Sequence, residues 1–292
     1  MYWHKTATIF LLSCFIFAGC QPVASSESPT ATIIISPMIQ IPTATSQEST
    51  QTPTQDVGSE PPIEFPSTST AIPEPEMEVT NEISDVLISV DGLEMASTFY
   101  TPKDQPPPWP GAILLHMLWG NRSSWDEFAL KLADAGYAVL NVDMRGHGET
   151  GGEVDWDLAA EDLQQVWSNL AARPDVDQDR TAFIGASIGA NMALVASANE
   201  SSVRTAILLS PGLNYAGVKT EAAMQSYGER PVLIVASQED TYAANSSVAL
   251  EAETLGESQL IMYEDAGHGI FMFQGETDLS QLIIEWLDHY LQ

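Results

Sequence analysis

The stretch Gly185-Ala186-Ser187-Ile188-Gly189 decides the fold and reads Gly-x-Ser-x-Gly, between a strand-like run (181–184) and a helix-like run (190–197). A serine hydroxyl is a weak nucleophile, so a tight strand-to-helix turn must present it beside a base. The two glycines fit such a turn, because a Cβ at either position would crowd the neighbouring strand or helix. The following helix would also point its first N–H groups at a developing oxyanion. The stretch indicates a nucleophilic serine, and a small-residue turn that packs a helix on a sheet is the alternative.

Alternating strands and helices surround this stretch. A hairpin is predicted at 86–100 around Asp91-Gly92, and a proline-rich segment at 102–110 ends it. Buried strands are then predicted at 112–116, 137–142, 181–184, 205–209, 232–236 and 259–263, with helices at 123–135, 157–172, 190–197, 246–255 and 277–291. This alternation predicts a mostly parallel sheet with helices on both faces. In such sheets, catalytic groups collect at the carboxyl ends of the strands.

Three more stretches, together with the serine motif, resemble the α/β-hydrolase family over residues 83–292. They are His-Met-Leu-Trp-Gly at 116–120, Asp-Met-Arg-Gly-His-Gly-Glu at 143–149 and Glu-Asp-Ala-Gly-His-Gly at 264–269. The resemblance implies an α/β-hydrolase fold with a mostly parallel eight-stranded sheet. Only residues 211–230 follow the sixth strand before the next one, which leaves no room for a helical cap domain. The site is therefore expected to be open, as in the dienelactone-hydrolase-like and small-esterase branch.

The resemblance implies a catalytic triad of Ser187, Asp240 and His268, in the chain order expected for this fold. His268 follows the last predicted strand, and an imidazole titrates near neutrality, so it can take the serine proton and pass it to the leaving group. Asp240 follows the strand at 232–236 and would orient this imidazole. The neighbouring Glu239 is the alternative acid. Dienelactone hydrolases themselves use a cysteine nucleophile, so that named activity is not implied.

The loop after the third predicted strand corresponds to the family's oxyanion loop. The resemblance implies that the backbone N–H groups of Leu118 and Ile188 are the oxyanion donors. Met117 stands where the family usually has glycine, which is a departure in the loop. Trp119 is a candidate substrate-binding residue. Three other apolar or aromatic residues are candidates for pocket lining, with ordinary packing as the alternative: Trp125, Leu213 and Tyr215.

Two other histidines lie near predicted strand ends, and neither is expected to be the base. His116 is expected to brace its loop through hydrogen bonds. His147 belongs to the stretch at 143–149, where Asp143 and Arg145 are expected to tie adjacent loops together. These residues are therefore interpreted as structural.

The N-terminus reads as an export signal. Residues 1–19 combine a basic start with a short apolar run that ends Phe17-Ala18-Gly19-Cys20 and resembles a bacterial lipobox, with Phe where Leu is commoner. Cys20 would then be lipidated; an ordinary secretory signal is the alternative. Residues 20–80 are rich in Ser, Thr and Pro without Lys or Arg, which predicts a disordered tether. Residues 81–292 form the predicted catalytic domain.

The formal net charge of −30 disfavours a nucleic-acid partner, because phosphates would be repelled. No cofactor is implied. No metal is implied either, since the acidic stretch at 175–179 lacks the glycine and glutamate of a calcium loop. The sequence thus predicts an extracytoplasmic, lipid-anchored serine hydrolase of small carboxylic esters. The alternatives are a peptidase, amidase or acyltransferase with the same triad, and a non-catalytic binding lipoprotein.

Overall fold

The computed structural model describes residues 81–275 and 278–292. The predicted signal (1–19) and tether (20–80), including Cys20, lie outside the described residues, as does the predicted start of the last helix at Thr277. No helix among the described residues is both long enough and apolar enough to cross a membrane.

Ten strands are present in the described part of the chain. They are β1 (Glu82–Val90), β2 (Leu93–Thr101), β3 (Trp109–Leu115), β4 (Ala138–Val142), β5 (Val176–Ala186), β6 (Val203–Leu209), β7 (Asn214–Tyr215), β8 (Val218–Lys219), β9 (Val232–Ser237) and β10 (Ser258–Tyr263). Eight of them form one sheet in the order β1-β2-β4-β3-β5-β6-β9-β10. Pairing is antiparallel from β1 to β2 and from β2 to β4, and parallel elsewhere in this sheet. The predicted mostly parallel eight-stranded sheet is confirmed.

Six α-helices of the described residues cover the two faces of the sheet. They are α1 (Asp126–Asp134), α2 (Trp156–Ala171), α3 (Ile188–Asn199), α4 (Glu221–Tyr227), α5 (Thr241–Ala252) and α6 (Leu279–Leu291). Alternate residues of one strand enter different cores. Ile113 belongs to the core that also contains residues of α2, α3, α4 and α5, whereas its neighbour Leu114 belongs to the core with residues of α1 and α6. Both faces of the central strands are buried, which explains their continuous apolar runs.

The connection between β6 and β9 contains only the β7–β8 hairpin and the short helix α4, so no cap domain is inserted there, as predicted. The prediction for α5 was wrong at its start. This helix begins at Thr241 rather than at 246, because Asp240 caps its first turn and accepts a hydrogen bond from the Ala243 N–H at 3.5 Å. Asp240 therefore lies at the junction of β9 and α5.

Candidate active site

Ser187 lies at the sharp turn between β5 and α3. Its φ of 57° and ψ of −122° place a non-glycine residue in a rarely occupied backbone conformation. The Ser187 N–H donates to the Leu209 carbonyl at 2.8 Å, which anchors the turn to the end of β6. Strain of this kind persists where the surroundings impose it, and it is common at functional sites. The turn presents the Ser187 side chain at the carboxyl edge of the sheet.

The two glycines of the motif are required by close backbone approach. A Cβ at Gly185 would lie 2.0 Å from the Gly189 carbonyl oxygen. A Cβ at Gly189 would lie 2.3 Å from the Leu115 carbonyl oxygen at the end of β3. Both distances are far below contact, so α3 can pack this close to β3 and β5 only with glycine at these positions. The steric argument made from the sequence is confirmed.

Asp240 and His268 are brought together by the last two strands of the sheet. β9 and β10 pair in parallel, with Ser237 opposite Tyr263, so the loops that follow them emerge side by side. Asp240 Oδ2 accepts a hydrogen bond from His268 Nδ1. This contact leaves His268 Nε2 as the nitrogen available to a reacting group. The His268 side chain is 35% exposed, so the ring is accessible from solvent.

Ser187 and His268 are not joined by a hydrogen bond in the described part of the chain. The Tyr215 ring lies next to the proposed base and meets the His268 ring edge-on with centroids 6.2 Å apart. Hydrogen bonds of a catalytic serine are often long in the free enzyme and tighten when substrate binds.

Glu239, the alternative acid, has a different set of partners. Its carboxylate accepts hydrogen bonds from the Ser237 hydroxyl and from the Gly267 N–H. The Ser237 hydroxyl in turn accepts from the Ala266 N–H at 2.8 Å. The bond from Ser237, followed by the backbone bonds, lowers the pKa of Glu239 below its ordinary value. Glu239 thus ties the acid loop to the backbone that precedes His268, while Asp240 contacts the ring itself.

The predicted oxyanion donors are positioned by two different elements. Ile188 is the first residue of α3, so its N–H has no carbonyl one turn earlier within the helix. The loop of Leu118 is closed by a hydrogen bond from the Gly120 N–H to the Met117 carbonyl at 3.0 Å. The Met117 side chain packs against the histidine loop, where its sulfur accepts from the Ile270 N–H at 3.4 Å. The residue that replaces the family's glycine therefore joins the oxyanion loop to the loop of His268, a contact that the sequence did not reveal.

His116 braces its loop as predicted. The ring is fully buried, and Nδ1 donates to the Met117 carbonyl at 2.8 Å while Nε2 accepts from the Met144 N–H at 3.1 Å. Burial lowers the pKa of His116 to about 4, so the ring is neutral at physiological pH. With both nitrogens occupied by backbone groups, the ring has no free position for proton transfer.

The stretch at 143–149 also has the predicted structural role. Arg145 donates two hydrogen bonds to Asp162 of α2, at 2.7 and 2.6 Å. The buried Asp143 carboxylate accepts from the Arg122 N–H at 2.6 Å and from the Glu149 N–H at 2.9 Å, and it pairs with the Arg122 guanidinium. The His147 ring is buried, with Nδ1 3.0 Å from the Arg145 carbonyl oxygen. These contacts tie the loops after β3 and β4 to α2.

The two tryptophans considered as pocket lining lie in different environments. Trp125 is fully buried against Phe128 and Phe273, so ordinary core packing, the alternative to pocket lining, is confirmed for this residue. Trp119 follows Leu118 in the predicted oxyanion loop with a φ of 63° and is 90% exposed, so its ring lies almost entirely in solvent. A groove of about 590 Å³ is lined by residues of β1, β2 and the start of α1, away from Ser187. Ser187 itself is only 7% exposed, so the expectation of an open site is not met at the serine.

Comparisons with known proteins agree with this architecture. The sequence profile of the dienelactone hydrolase family matches residues 95–283. The dienelactone hydrolase of Anabaena variabilis is similar in structure, with a TM-score of 0.63 and 21% identity over 73% of this chain and 100% of that one. An acetyl xylan esterase from Paenibacillus sp. R4 has a TM-score of 0.65 and 18% identity over 75% and 87% of the two chains. At these identities the structural likenesses concern the fold alone.

Curated relatives match a smaller part of the sequence. Two uncharacterized proteins of Mycobacterium tuberculosis, from strains CDC 1551 and H37Rv, are each 31% identical over 111 residues. The match covers 38% of this chain and 39% of each relative. The chain therefore spans less than half the length of the curated relatives that it matches.

Proposed function

The chain belongs to the dienelactone hydrolase family, and from this premise we propose that it is a serine esterase in which Ser187, His268 and Asp240 hydrolyse small carboxylic esters. The fold is the α/β-hydrolase fold, and the family is one of hydrolases that include esterases. Ser187 stands at the nucleophile position of a family whose named member uses cysteine, so the proposed reaction is ester hydrolysis in general.

One observation carries the proposal: the hydrogen bond between Asp240 and His268, on loops that emerge beside the strained turn of Ser187. A carboxylate on Nδ1 fixes the tautomer in which Nε2 is free to accept a proton, and it stabilises the imidazolium that forms. A histidine held for structure alone has no need of a free, solvent-accessible nitrogen. The arrangement supports a general base rather than a brace.

The proposed reaction proceeds in two half-reactions. Ser187 Oγ attacks the ester carbonyl carbon while its proton passes to His268 Nε2, and the N–H groups of Leu118 and Ile188 stabilise the oxyanion. His268 then protonates the departing alcohol, which leaves an acyl-serine. Water attacks this acyl group with His268 as the base, and return of the proton to Ser187 releases the acid. Ser187 is only 7% exposed, which supports small ester groups as substrates.

The test is hydrolysis of p-nitrophenyl esters of increasing acyl length by the purified full-length chain and by Ser187→Ala. We expect kcat/KM to fall by about 10⁴-fold or more in Ser187→Ala. A fluorophosphonate probe should label the wild-type chain and leave the variant unlabelled. A wild-type protein that folds but hydrolyses no ester and does not react with the probe would contradict the proposal.

The proposed location is the outer face of a bacterial cell membrane, with lipidated Cys20 as the anchor. The support is the sequence alone, namely the signal-like residues 1–19 that end in the lipobox-like stretch. In cells that express the full chain, we expect the protein to partition into the detergent phase and Cys20→Ala to move to the aqueous phase. Equal partitioning of the two proteins would contradict lipidation at this cysteine.

A further inference from the structure

The end of β6 contacts the segments that carry the proposed nucleophile and the proposed base. The Leu209 carbonyl accepts a hydrogen bond from the Ser187 N–H at 2.8 Å. The next residue along the chain, Ser210, is fully buried, and its hydroxyl oxygen accepts from the Gly269 N–H at 2.9 Å. Gly269 directly follows His268. Two consecutive residues therefore fix the serine turn and the loop of His268 relative to each other.

Ser210 has a backbone conformation that serine rarely adopts. Its φ is 51°, and Pro211 follows it, which restricts its conformation further. Its N–H donates to the Val235 carbonyl of β9 at 2.7 Å, and two residues later the Gly212 N–H donates to buried Asn191 of α3 at 3.0 Å. These bonds impose the conformation, and residues held in this way cluster at functional sites. Glycine would adopt the same φ without strain, so the serine side chain needs a reason of its own.

The backbone after His268 lies against the turn of the proposed nucleophile. A Cβ at Gly269 would lie 3.3 Å from the Cβ of Ala186, the residue before Ser187. Gly269 also has a φ of 57°, so both the close approach and the conformation favour glycine here. Because the Ser210 hydroxyl binds the N–H of this glycine, it acts at the point where the loop of His268 approaches the serine turn.

Two successive N–H groups after His268 are bound by side chains from other strand ends. The Gly269 N–H donates to the hydroxyl oxygen of Ser210, at the end of β6, at 2.9 Å. The Ile270 N–H donates to the sulfur of Met117, after β3, at 3.4 Å. A thioether sulfur is a weak acceptor, whereas a hydroxyl oxygen is an ordinary one. Of the two side chains, Ser210 therefore provides the stronger constraint, and it binds the residue adjacent to His268.

We propose that Ser210 is a positioning residue for the general base: its hydroxyl holds the backbone next to His268 and thereby keeps Nε2 within proton-transfer distance of Ser187. The inference rests on the proposed function. Asp240 constrains the imidazole through the ring, and Ser210 constrains it through the main chain of its loop. Both half-reactions move a proton between Ser187, His268 and the departing or attacking oxygen, and each transfer requires hydrogen-bonding distance. Ser210 keeps its own proton throughout.

The expected size of the effect follows from the cost of misplacing a catalytic group. A displacement of about 1 Å costs about 10²-fold in rate. Removal of the Ser210 hydroxyl leaves the contact between Asp240 and His268 in place, so we expect kcat to fall by about 10- to 100-fold. Because Ser210 is fully buried and does not meet the substrate, KM should stay within about twofold of wild type.

The experiment compares the full-length protein with Ser210→Ala, Ser210→Gly and, as a matched control, Thr150→Val. Both Ser210 variants lose the hydroxyl, but glycine also relieves the backbone strain, so Ser210→Gly should unfold at a higher urea concentration than Ser210→Ala. The buried Thr150 hydroxyl likewise accepts a backbone N–H, from Ala96 at 2.8 Å, in the loop after β4.

Hydrolysis of p-nitrophenyl acetate gives kcat and KM for each protein, and labelling to completion with a fluorophosphonate counts the reactive sites. We expect both Ser210 variants to lose kcat per reactive site by similar factors with KM nearly unchanged. Thr150→Val should be less stable than wild type and should keep kcat per reactive site, because its hydroxyl lies in the structural loop.

Four results would overturn this assignment. Wild-type kcat per reactive site in both Ser210 variants would show that the hydroxyl serves stability alone. A loss in only one of these two variants would assign the effect to the backbone conformation. A raised KM with unchanged kcat would make Ser210 a determinant of substrate binding, and an equal kcat loss in Thr150→Val would show that any buried hydroxyl has this effect. Each of these requires an active wild-type enzyme, whereas failure of the proposed function appears as wild-type inactivity towards esters and probe.

Discussion

Two groups of polar side chains lie at the carboxyl edge of the sheet: the structural group with His116, Arg145 and Asp162, and the proposed catalytic group with Asp240 and His268. They differ in whether a histidine ring nitrogen remains without a partner. After β3 and β4, both ring nitrogens of His116 are occupied by backbone groups and the ring is fully buried. After β9 and β10, His268 is bound at Nδ1 by Asp240 and is one-third exposed. Placement after a strand brings a histidine to this edge, but a free nitrogen next to a nucleophile is what makes it a candidate base.

The carboxylates of the two groups differ in the same way. Asp162 is 2% exposed and holds the Arg145 guanidinium through two hydrogen bonds, so its charge serves packing between a loop and α2. Asp240 is 19% exposed and holds a ring that must change its charge during the proposed reaction. Buried, fully paired groups stabilise one arrangement, whereas Asp240 and His268 are less buried and His268 retains a ring nitrogen for the proposed reaction.

The largest expected effect comes from neutralising one carboxylate in each group. Asp240→Asn should lower kcat by about 10²- to 10⁴-fold, because an amide favours the wrong tautomer of His268. Its stability should change little, since Asn also caps helices well. Asp162→Asn should have the opposite profile. It should lower the free energy of unfolding by about 3 kcal/mol, because it leaves Arg145 without a charge partner, and it should retain kcat.

Urea unfolding and kinetics at saturating ester, measured on both variants, check this pair of outcomes. Active-site titration corrects kcat for any unfolded fraction of Asp162→Asn. A large kcat loss in Asp162→Asn, or wild-type kcat in Asp240→Asn, would mean that the two groups do not divide chemistry and stability as described.

A smaller effect is expected from the titration of His116. Burial lowers the pKa of His116 to about 4 from an ordinary 6.5, so the unfolded chain takes up this proton at a higher pH than the folded chain does. The stability from the neutral ring is complete above pH 6.5 and is lost as the pH falls towards 4. His116→Gln keeps an acceptor for the Met144 N–H and removes the titration. Between about pH 7.5 and about pH 4.5, wild type should lose about 2–3 kcal/mol more stability than His116→Gln.

Urea unfolding of both proteins at the two pH values measures this difference, and the carboxylates common to both cancel in the comparison. Parallel pH dependences of the two proteins would show that His116 does not titrate with a lowered pKa. The kcat of His116→Gln at neutral pH is a second test. Because His116 holds its loop through backbone hydrogen bonds, the substitution should lower stability more than it lowers kcat.

The sequence predicted more of the sheet than of the loops. Strand positions followed from continuous apolar runs, because a central strand buried on both faces has no polar residues to confuse its pattern. The start of α5 was missed because Asp240 was assigned to the reaction alone. The Asp240 carboxylate both caps α5 and contacts the His268 ring. Trp125 was offered as pocket lining because the sequence does not distinguish a ring in a site from a ring in a core.

The sequence by itself determined the Gly-x-Ser-x-Gly turn with its two glycines and the order of the strands and helices along the chain. These are local or periodic features, fixed by backbone sterics and by which faces must be buried. The candidates Ser187, Asp240 and His268 came from the resemblance of their motifs to the α/β-hydrolase family. Only the tertiary structure decided that Asp240 rather than Glu239 contacts the His268 ring, and that the Tyr215 ring lies edge-on to it. Contacts between distant loops depend on strand pairing and on buried clamps such as Asn191, and neither leaves a local pattern in the chain.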